Sequence, residues 1–224
     1  MVKSEGFILN RFYLVEADET DALTKIVQFY ARQHGLITLY VRDIYVDSHL
    51  FGKLEPFDKI YVWWESAKDL ANLVDIIDYK RNKNLYSYEN YMGFSYISKA
   101  IKEDLKLYDD YIYELLEYFW NHGFCKNFYI PVLWFLIHVS DYLGFKPIFL
   151  EKDISKSPDF VYINLQDGDI GKSKYSMKVR KKVLEILKTI SNTDLEDIGS
   201  LKFSMQDAKE GTKFMMRLFR GLNR

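Results

Sequence analysis

Short β-branched and aromatic runs, separated by Gly, Pro and charged residues, fill the first eighty positions and constrain the fold more than any other feature. Each run is shorter than ten residues, which is typical of β-strands and too short for most helices. The segment Arg32-Gln-His-Gly35 has the composition of a turn. The pattern predicts five strands, at residues 6–10, 22–30, 36–41, 59–64 and 73–77.

Five strands of this length predict a small closed β-barrel of the oligonucleotide-binding (OB) type. The polar segment Lys80-Arg-Asn-Lys-Asn84 follows the last strand and has the composition of a linker. Beyond it the apolar residues recur with helical rather than strand spacing. We therefore expect an α+β protein with an OB-fold domain at residues 1–80 and a helical domain at residues 81–224.

Within the second domain, apolar spacing predicts helices over Tyr88–Ile101, Tyr108–Trp120, Phe128–Leu143 and Met177–Ile190. The third of these is apolar on almost all sides, so we expect it to be a buried central helix. Residues 151–174 break the helical pattern and predict a small β-insert with a strand at Phe160–Leu165. A capping box at Thr193-x-x-Glu196 and a start at Ser204 predict two further helices.

Composition excludes several classes of protein. The lone Cys125 cannot form an internal disulfide, and the four scattered histidines do not have zinc-ligand spacing, so we expect neither metal nor cofactor. The residues before Gly6 contain no apolar signal region. The longest apolar run, 128–137, is about half of what a membrane span needs. These features predict a soluble, cytoplasmic protein.

The net charge of −1 conceals a gradient along the chain. Residues 1–80 contain 9 basic and 13 acidic residues, whereas residues 151–224 contain 15 basic and 11 acidic residues. Two basic clusters account for most of that excess, one at 172–182 without any acid and one at 209–224 with only Glu210. Such asymmetry bears on binding partners rather than on fold.

Five short segments occur in a characteristic order along the chain. They are Gly6-Phe-Ile-Leu, Glu19-Thr-Asp21, the strand that ends in Arg32-Gln-His-Gly35, Leu54-Glu-Pro-Phe57 and Leu143-Gly-Phe-Lys-Pro147. Together they resemble the RecO family of bacterial recombination mediators. The resemblance implies an OB-fold followed by a helical domain, in a protein associated with the nucleoid. It also implies a non-catalytic protein that binds single- and double-stranded DNA, promotes strand annealing and assists the loading of the RecA filament. RecR and the tail of the single-strand-binding protein would be its protein partners.

The chain departs from the family pattern at three places. The β-insert lacks the four cysteines of a zinc ribbon, so it would be a degenerate, metal-free counterpart held by packing alone. The family's basic loop after the third strand is replaced by Arg42-Asp-Ile-Tyr-Val-Asp-Ser-His49, which has little basic charge. Where relatives have arginine pairs near a pocket for an acidic tail, this chain has Leu133-Trp134-Phe135.

Binding to nucleic acid needs cations for the phosphates and, for single strands, aromatic faces for the bases. We therefore predict DNA contacts in the two basic clusters, with a solvated loop and helix start as the alternative reading. The acidic barrel is a weaker candidate, and one of Trp63 and Trp64 must point outward from its strand. The predicted DNA-binding residues are Lys172, Lys174, Lys178, Arg180, Lys181, Lys182, Lys213, Arg217 and Arg220, with Arg32, Arg42 and Lys53 in the barrel. The barrel could bind phosphate only if these three gather with Arg11 on one face.

Motifs of catalysis are weak. Gly168-x-x-Gly171-Lys-Ser lacks the first glycine of a phosphate loop, and His122 with Cys125 is a chance pairing near a helix end. Besides the mediator, two other functions stay open. One is a RecO-fold adaptor that binds proteins and has little affinity for DNA. The other is a nuclease or hydrolase on an OB scaffold. We expect the protein not to cleave DNA, which would exclude the second.

Overall fold

The structure, a computed structural model, describes residues 1–14, 23–44, 52–67 and 70–222. It contains two compact units, which we call the barrel unit (Met1–Tyr88 with Ile101–Gly123) and the helical unit (Glu89–Ala100 with Phe124–Arg224). These units differ from the predicted domains at residues 1–80 and 81–224, because residues 101–123 pack with the barrel.

A closed five-stranded barrel forms the first unit, and helices follow it, which confirms the predicted α+β arrangement. The strand order is β1-β2-β3-β5-β4, and every pairing is antiparallel except that of β3 with β5. The predicted Glu19-Thr-Asp21 step and most of the 42–49 loop lie outside the described residues. The strands are β1 Val2–Leu14, β2 Leu23–Ala31, β3 Gly35–Ile44, β4 Lys59–Ala67 and β5 Leu70–Lys80.

Alternation along the strands separates the barrel core from its outer surface. On β4, Val62 and Trp64 are buried in the barrel core, as successive side chains of a strand point to opposite faces. The Trp64 ring lies edge-on to Phe29, 6.1 Å between centroids. Trp63 is only half-buried and has the Lys3 ammonium 5.1 Å from its ring. The prediction that one of the two tryptophans points outward is confirmed.

The 32–35 turn packs against the segment that follows the first helix. Gly35 has a positive φ of 74°, and a Cβ there would lie 2.5 Å from the Lys106 carbonyl oxygen, so only glycine fits. The buried Tyr30 hydroxyl donates to the Leu107 carbonyl at 3.0 Å and accepts the Asp109 N–H at 3.2 Å. These bonds explain why residues 101–123 belong to the barrel unit.

In the part of the chain that the structure describes, five α-helices and one hairpin follow the barrel strands. None of the helices in the described ranges is both long and apolar enough to cross a membrane. Helix α3 is buried over nearly its whole length and packs against α4 and α5, as the sequence predicts for a central helix. The elements are α1 Tyr88–Asp104, α2 Asp110–His122, α3 Tyr129–Tyr142, β6 Phe160–Asn164, β7 Ser176–Arg180, α4 Lys181–Ser191 and α5 Met205–Leu222.

Two sequence-based predictions in the helical unit are wrong. The helix expected from Met177 begins at Lys181, because residues 176–180 pair with β6 and their alternate side chains fit a strand. The insert therefore extends past residue 174 to Arg180. The Thr193 capping box is not formed either, since the Thr193 hydroxyl donates to the Thr189 carbonyl. The start at Ser204 is confirmed, because its hydroxyl accepts the Asp207 N–H at 3.1 Å.

We expect Tyr30→Phe to destabilise the protein by about 1–2 kcal/mol, because it removes both hydrogen bonds of a buried hydroxyl, to the Leu107 carbonyl and from the Asp109 N–H. Tyr86→Phe is the matched control, since that ring is 86% exposed. Equilibrium unfolding in urea measures both. Equal midpoints for the two variants would contradict a stabilising role for the Tyr30 hydroxyl.

Candidate nucleic-acid interface

The outer surface of the β6–β7 hairpin combines aromatic rings with lysines. Phe160 is 47% exposed and Tyr162 is 36% exposed, while Val161 between them is buried, as strand alternation requires. Lys178 faces Tyr162 across the hairpin, and its ammonium lies 4.4 Å from the centroid of Phe160. The Lys172 ammonium lies 5.0 Å from the centroid of Tyr162. We call these four residues the hairpin face.

The two basic clusters predicted from the sequence meet at a second surface. This surface is an open pocket with a volume of about 530 Å³. It is lined by Lys174 and Tyr175, which precede β7, and by Arg217 and Arg220 of α5. We call this surface the α5 pocket. The Lys174 ammonium lies 4.6 Å from the centroid of Tyr175, so a third lysine–aromatic pair stands at its rim. Residues far apart in sequence thus form one cationic and aromatic surface.

Close backbone packing brings α5 to this position. A Cβ at Gly221 would lie 2.2 Å from the Leu165 carbonyl oxygen, so the end of α5 approaches the loop after β6 as only glycine allows. One turn earlier, the Arg217 guanidinium lies 3.6 Å from the Met177 sulfur on β7. Lys213, a further turn back, is exposed on α5 but does not line the pocket.

Three of the predicted contacts, at the junction of β7 and α4, already have partners inside the protein. Arg180 donates to Glu210 at 2.9 Å and to Asp207 at 2.8 Å, and Lys182 lies 2.7 Å from Asp207. The run 172–182 contains no acidic residue, but in the folded protein Asp207 and Glu210 of α5 lie beside it. Lys181 donates to the Ser155 carbonyl. We call the Arg180, Lys182, Asp207 and Glu210 side chains the junction network.

The junction network strongly favours the ionised form of its buried carboxylate. Hydrogen bonds from Lys182, from the Ser204 hydroxyl and from Arg180 lower the pKa of Asp207 to about 2. The side chain is only 6% exposed, so its charge depends on these donors rather than on water.

Most cations predicted as barrel contacts also have internal partners. Arg32 lies 2.8 Å from Glu5, and Arg11 lies 2.5 Å from Glu55. The Lys53 carbonyl accepts the buried Lys25 ammonium at 2.5 Å, and the Lys53 ammonium lies 5.9 Å from the Tyr79 ring. Arg42 is exposed on β3. Carboxylates of the barrel itself therefore neutralise part of the positive charge that its basic residues could present to phosphates.

Phe160 and Tyr162 are not among the site residues predicted from the sequence. A usable signal was present, because an aromatic residue at every second position of a predicted strand places both rings on one face. Because a helix was predicted from Met177, the pairing of β6 with β7, which places Lys178 opposite Tyr162, was not predicted.

Comparisons with known proteins give a distant relationship. No family model matches the chain. It is similar to a protein of Aquifex aeolicus (strain VF5), described only as uncharacterized, with 26% identity over 187 residues. The alignment covers 81% of this chain and 83% of that protein, and it is longer than either compact unit. The similarity therefore includes residues of both units, and it supplies no activity.

The junction network predicts a specific dependence of stability on pH. Since the pKa of Asp207 is about 2 when folded against an ordinary value of 3.8, its stabilisation is complete above about pH 4 and is lost as the pH falls toward 2. We expect Asp207→Asn to destabilise the protein by about 2 kcal/mol near pH 7 and by less at pH 3, measured by urea unfolding.

Glu196→Gln removes the same charge from an exposed position and is the control. A stability difference for Asp207→Asn that stayed constant down to about pH 2 would contradict the network as its cause.

Proposed function

We propose that this protein is a non-catalytic nucleic-acid-binding protein of the RecO type, which holds DNA strands and partner proteins together in the cytoplasm. The observation that carries the proposal is the convergence of cations and exposed rings on the hairpin face and in the α5 pocket. Cations displace counterions from phosphates, and aromatic faces stack on bases, so this combination suits a nucleic-acid strand. The groups at this surface bind rather than break bonds.

The barrel supports the same assignment. Five strands in the order β1-β2-β3-β5-β4, with β5 inserted between β3 and β4, are compatible with the Greek-key barrel of an OB-fold. Under this proposal the β6–β7 hairpin would be the metal-free counterpart of the family's zinc ribbon. Its inner face consists of the buried Val161, Ile163 and Val179. Under this proposal the protein anneals strands and assists RecA loading together with RecR.

Different side chains of this surface are suited to single-stranded and to double-stranded DNA. Arg217 and Arg220 can reach phosphates of single or double strands, because phosphates are exposed in both. Phe160, Tyr162 and Tyr175 can stack only on bases that are unpaired and accessible. A protein with both kinds of group can hold a duplex and a single strand, as annealing requires.

A protein-interaction adaptor is the second candidate. It is favoured by the pairing of Arg32 with Glu5 and of Arg11 with Glu55, which leaves little charge on the barrel for phosphates. In that case RecR would bind, while the affinity for DNA at physiological salt would stay in the non-specific range of about 10⁻⁴ to 10⁻⁶ M.

We expect Lys172→Ala with Lys178→Ala to weaken single-strand binding roughly tenfold, equivalent to about 1.4 kcal/mol. Because each lost phosphate contact removes about 0.7 from the salt slope, the slope should fall by about 1.4. Fluorescence anisotropy with a labelled oligonucleotide across a salt series measures both quantities.

Lys99→Ala with Lys126→Ala is the matched control, since it removes two exposed charges from the helical unit. Equal losses in the two double variants would contradict the hairpin face as the contact. Weak binding by every form, with RecR still captured, would favour the adaptor.

We expect Phe160→Ala with Tyr162→Ala to weaken binding to single strands by about 1–3 kcal/mol for each stacked base and to leave duplex binding nearly unchanged. The charges of the surface are the same in this variant, so any selective loss reports stacking. Phe145→Ala removes another exposed ring of the helical unit and is the control. Parallel losses for single strands and duplex would argue against stacking.

A further inference from the structure

The polar linker after β5 forms one wall of a pocket in the barrel unit. Residues 79–84 and the last turn of α2 enclose about 550 Å³, within the range typical of small-molecule sites. Three cations, an indole ring, a phenol and three amides line it. They are Lys80, Arg81, Lys83, Trp120, Tyr79, Asn82, Asn84 and Asn121. We call this surface the linker pocket.

Hydrogen bonds hold both walls of the linker pocket in place. The Asn84 side-chain amide donates to the carbonyls of Trp120 at 3.2 Å and Asn121 at 3.3 Å, which ties the linker to α2. The Trp120 indole N–H donates to the Phe57 carbonyl at 3.0 Å and so fixes the orientation of the ring. Arg81 donates to the Tyr79 hydroxyl at 3.1 Å. The pocket is therefore formed before any ligand binds.

The charge of the linker pocket is positive, since none of the described residues that line it has a carboxylate. Two acids lie nearby. Asp78 is 3.8 Å from Lys80 on the exposed surface, and Asp58 is buried beneath the Tyr79 hydroxyl, which donates to it at 2.7 Å. Lys83 is exposed and makes no ion pair with any residue that the structure describes. An anion is the ligand that these charges favour.

We propose that the linker pocket binds a nucleotide, with its phosphate at Lys80, Arg81 and Lys83 and its base against the Trp120 indole. The cations select the phosphate, and the oriented indole offers a flat face for a base. The exposed Asn121 side-chain amide carries donors and an acceptor suited to the polar edge of that base, while the Asn84 amide holds the linker to α2. The nucleotide is either free or the phosphorylated end of a strand. This inference does not depend on DNA binding by the helical unit.

Titration of the full chain with thymidine monophosphate tests the proposal. The chain has four tryptophans, so two-dimensional NMR of the indole N–H groups gives four signals, and the spectrum of Trp120→Phe identifies the one from Trp120. We expect that signal to shift on titration. We also expect Lys83→Glu to weaken binding about tenfold by calorimetry, while Lys106→Glu, at an exposed position of the same unit, leaves it unchanged.

A pair of oligonucleotides, with and without a 5′ phosphate, separates the two sources of the ligand. Preference for the phosphorylated strand, lost in Lys83→Glu, assigns the site to strand ends, whereas equal binding assigns it to free nucleotide. No shift of the Trp120 signal, or equal weakening by Lys83→Glu and Lys106→Glu, would overturn the proposal. Retained nucleotide binding in the Lys172→Ala and Lys178→Ala double variant distinguishes this pocket from the hairpin face.

Discussion

The junction network is the interaction on which the candidate interface depends. Arg180 ends β7 and immediately precedes α4, and it is held by Asp207 and Glu210 in the first half of α5. This pairing fixes α5 beside the hairpin, so that Arg217 and Arg220, two to three turns further along, reach Lys174 and Tyr175. Two of the predicted DNA contacts, Arg180 and Lys182, therefore bind carboxylates within the fold and help to position Arg217 and Arg220.

The same network explains why the charge pattern of the sequence was only partly informative. The run at 172–182 contains no acid, so each of its cations was predicted to be available to phosphate. Asp207 and Glu210 lie about thirty positions away, and only the packing of α5 brings them to the run. A local count of charges therefore located the basic residues but could not show which of them have carboxylate partners within the fold.

The barrel was more predictable because its signal is local. Alternation of apolar and polar residues defines a strand without reference to its partners, and the five runs became five strands. The pairing of β3 with β5 depends on contacts distant in sequence and had no local signal. At Met177–Arg180 the apolar Met177 and Val179 fit a strand, while Val179 and Val183 also fit a helix, so local pattern alone could not decide.

The lysine–aromatic pairs give the surface a property that separate cations and rings would lack. In the free protein each ammonium lies over an exposed ring, an interaction of about 0.5–1 kcal/mol at such positions. A bound strand would offer a phosphate to the lysine and a base to the ring, and stacking alone is worth about 1–3 kcal/mol for each base. Under the proposed function, both groups would exchange a weak contact for stronger ones. A duplex, whose bases are already stacked, would satisfy only the lysines, so the proposal predicts a preference for a strand with open bases.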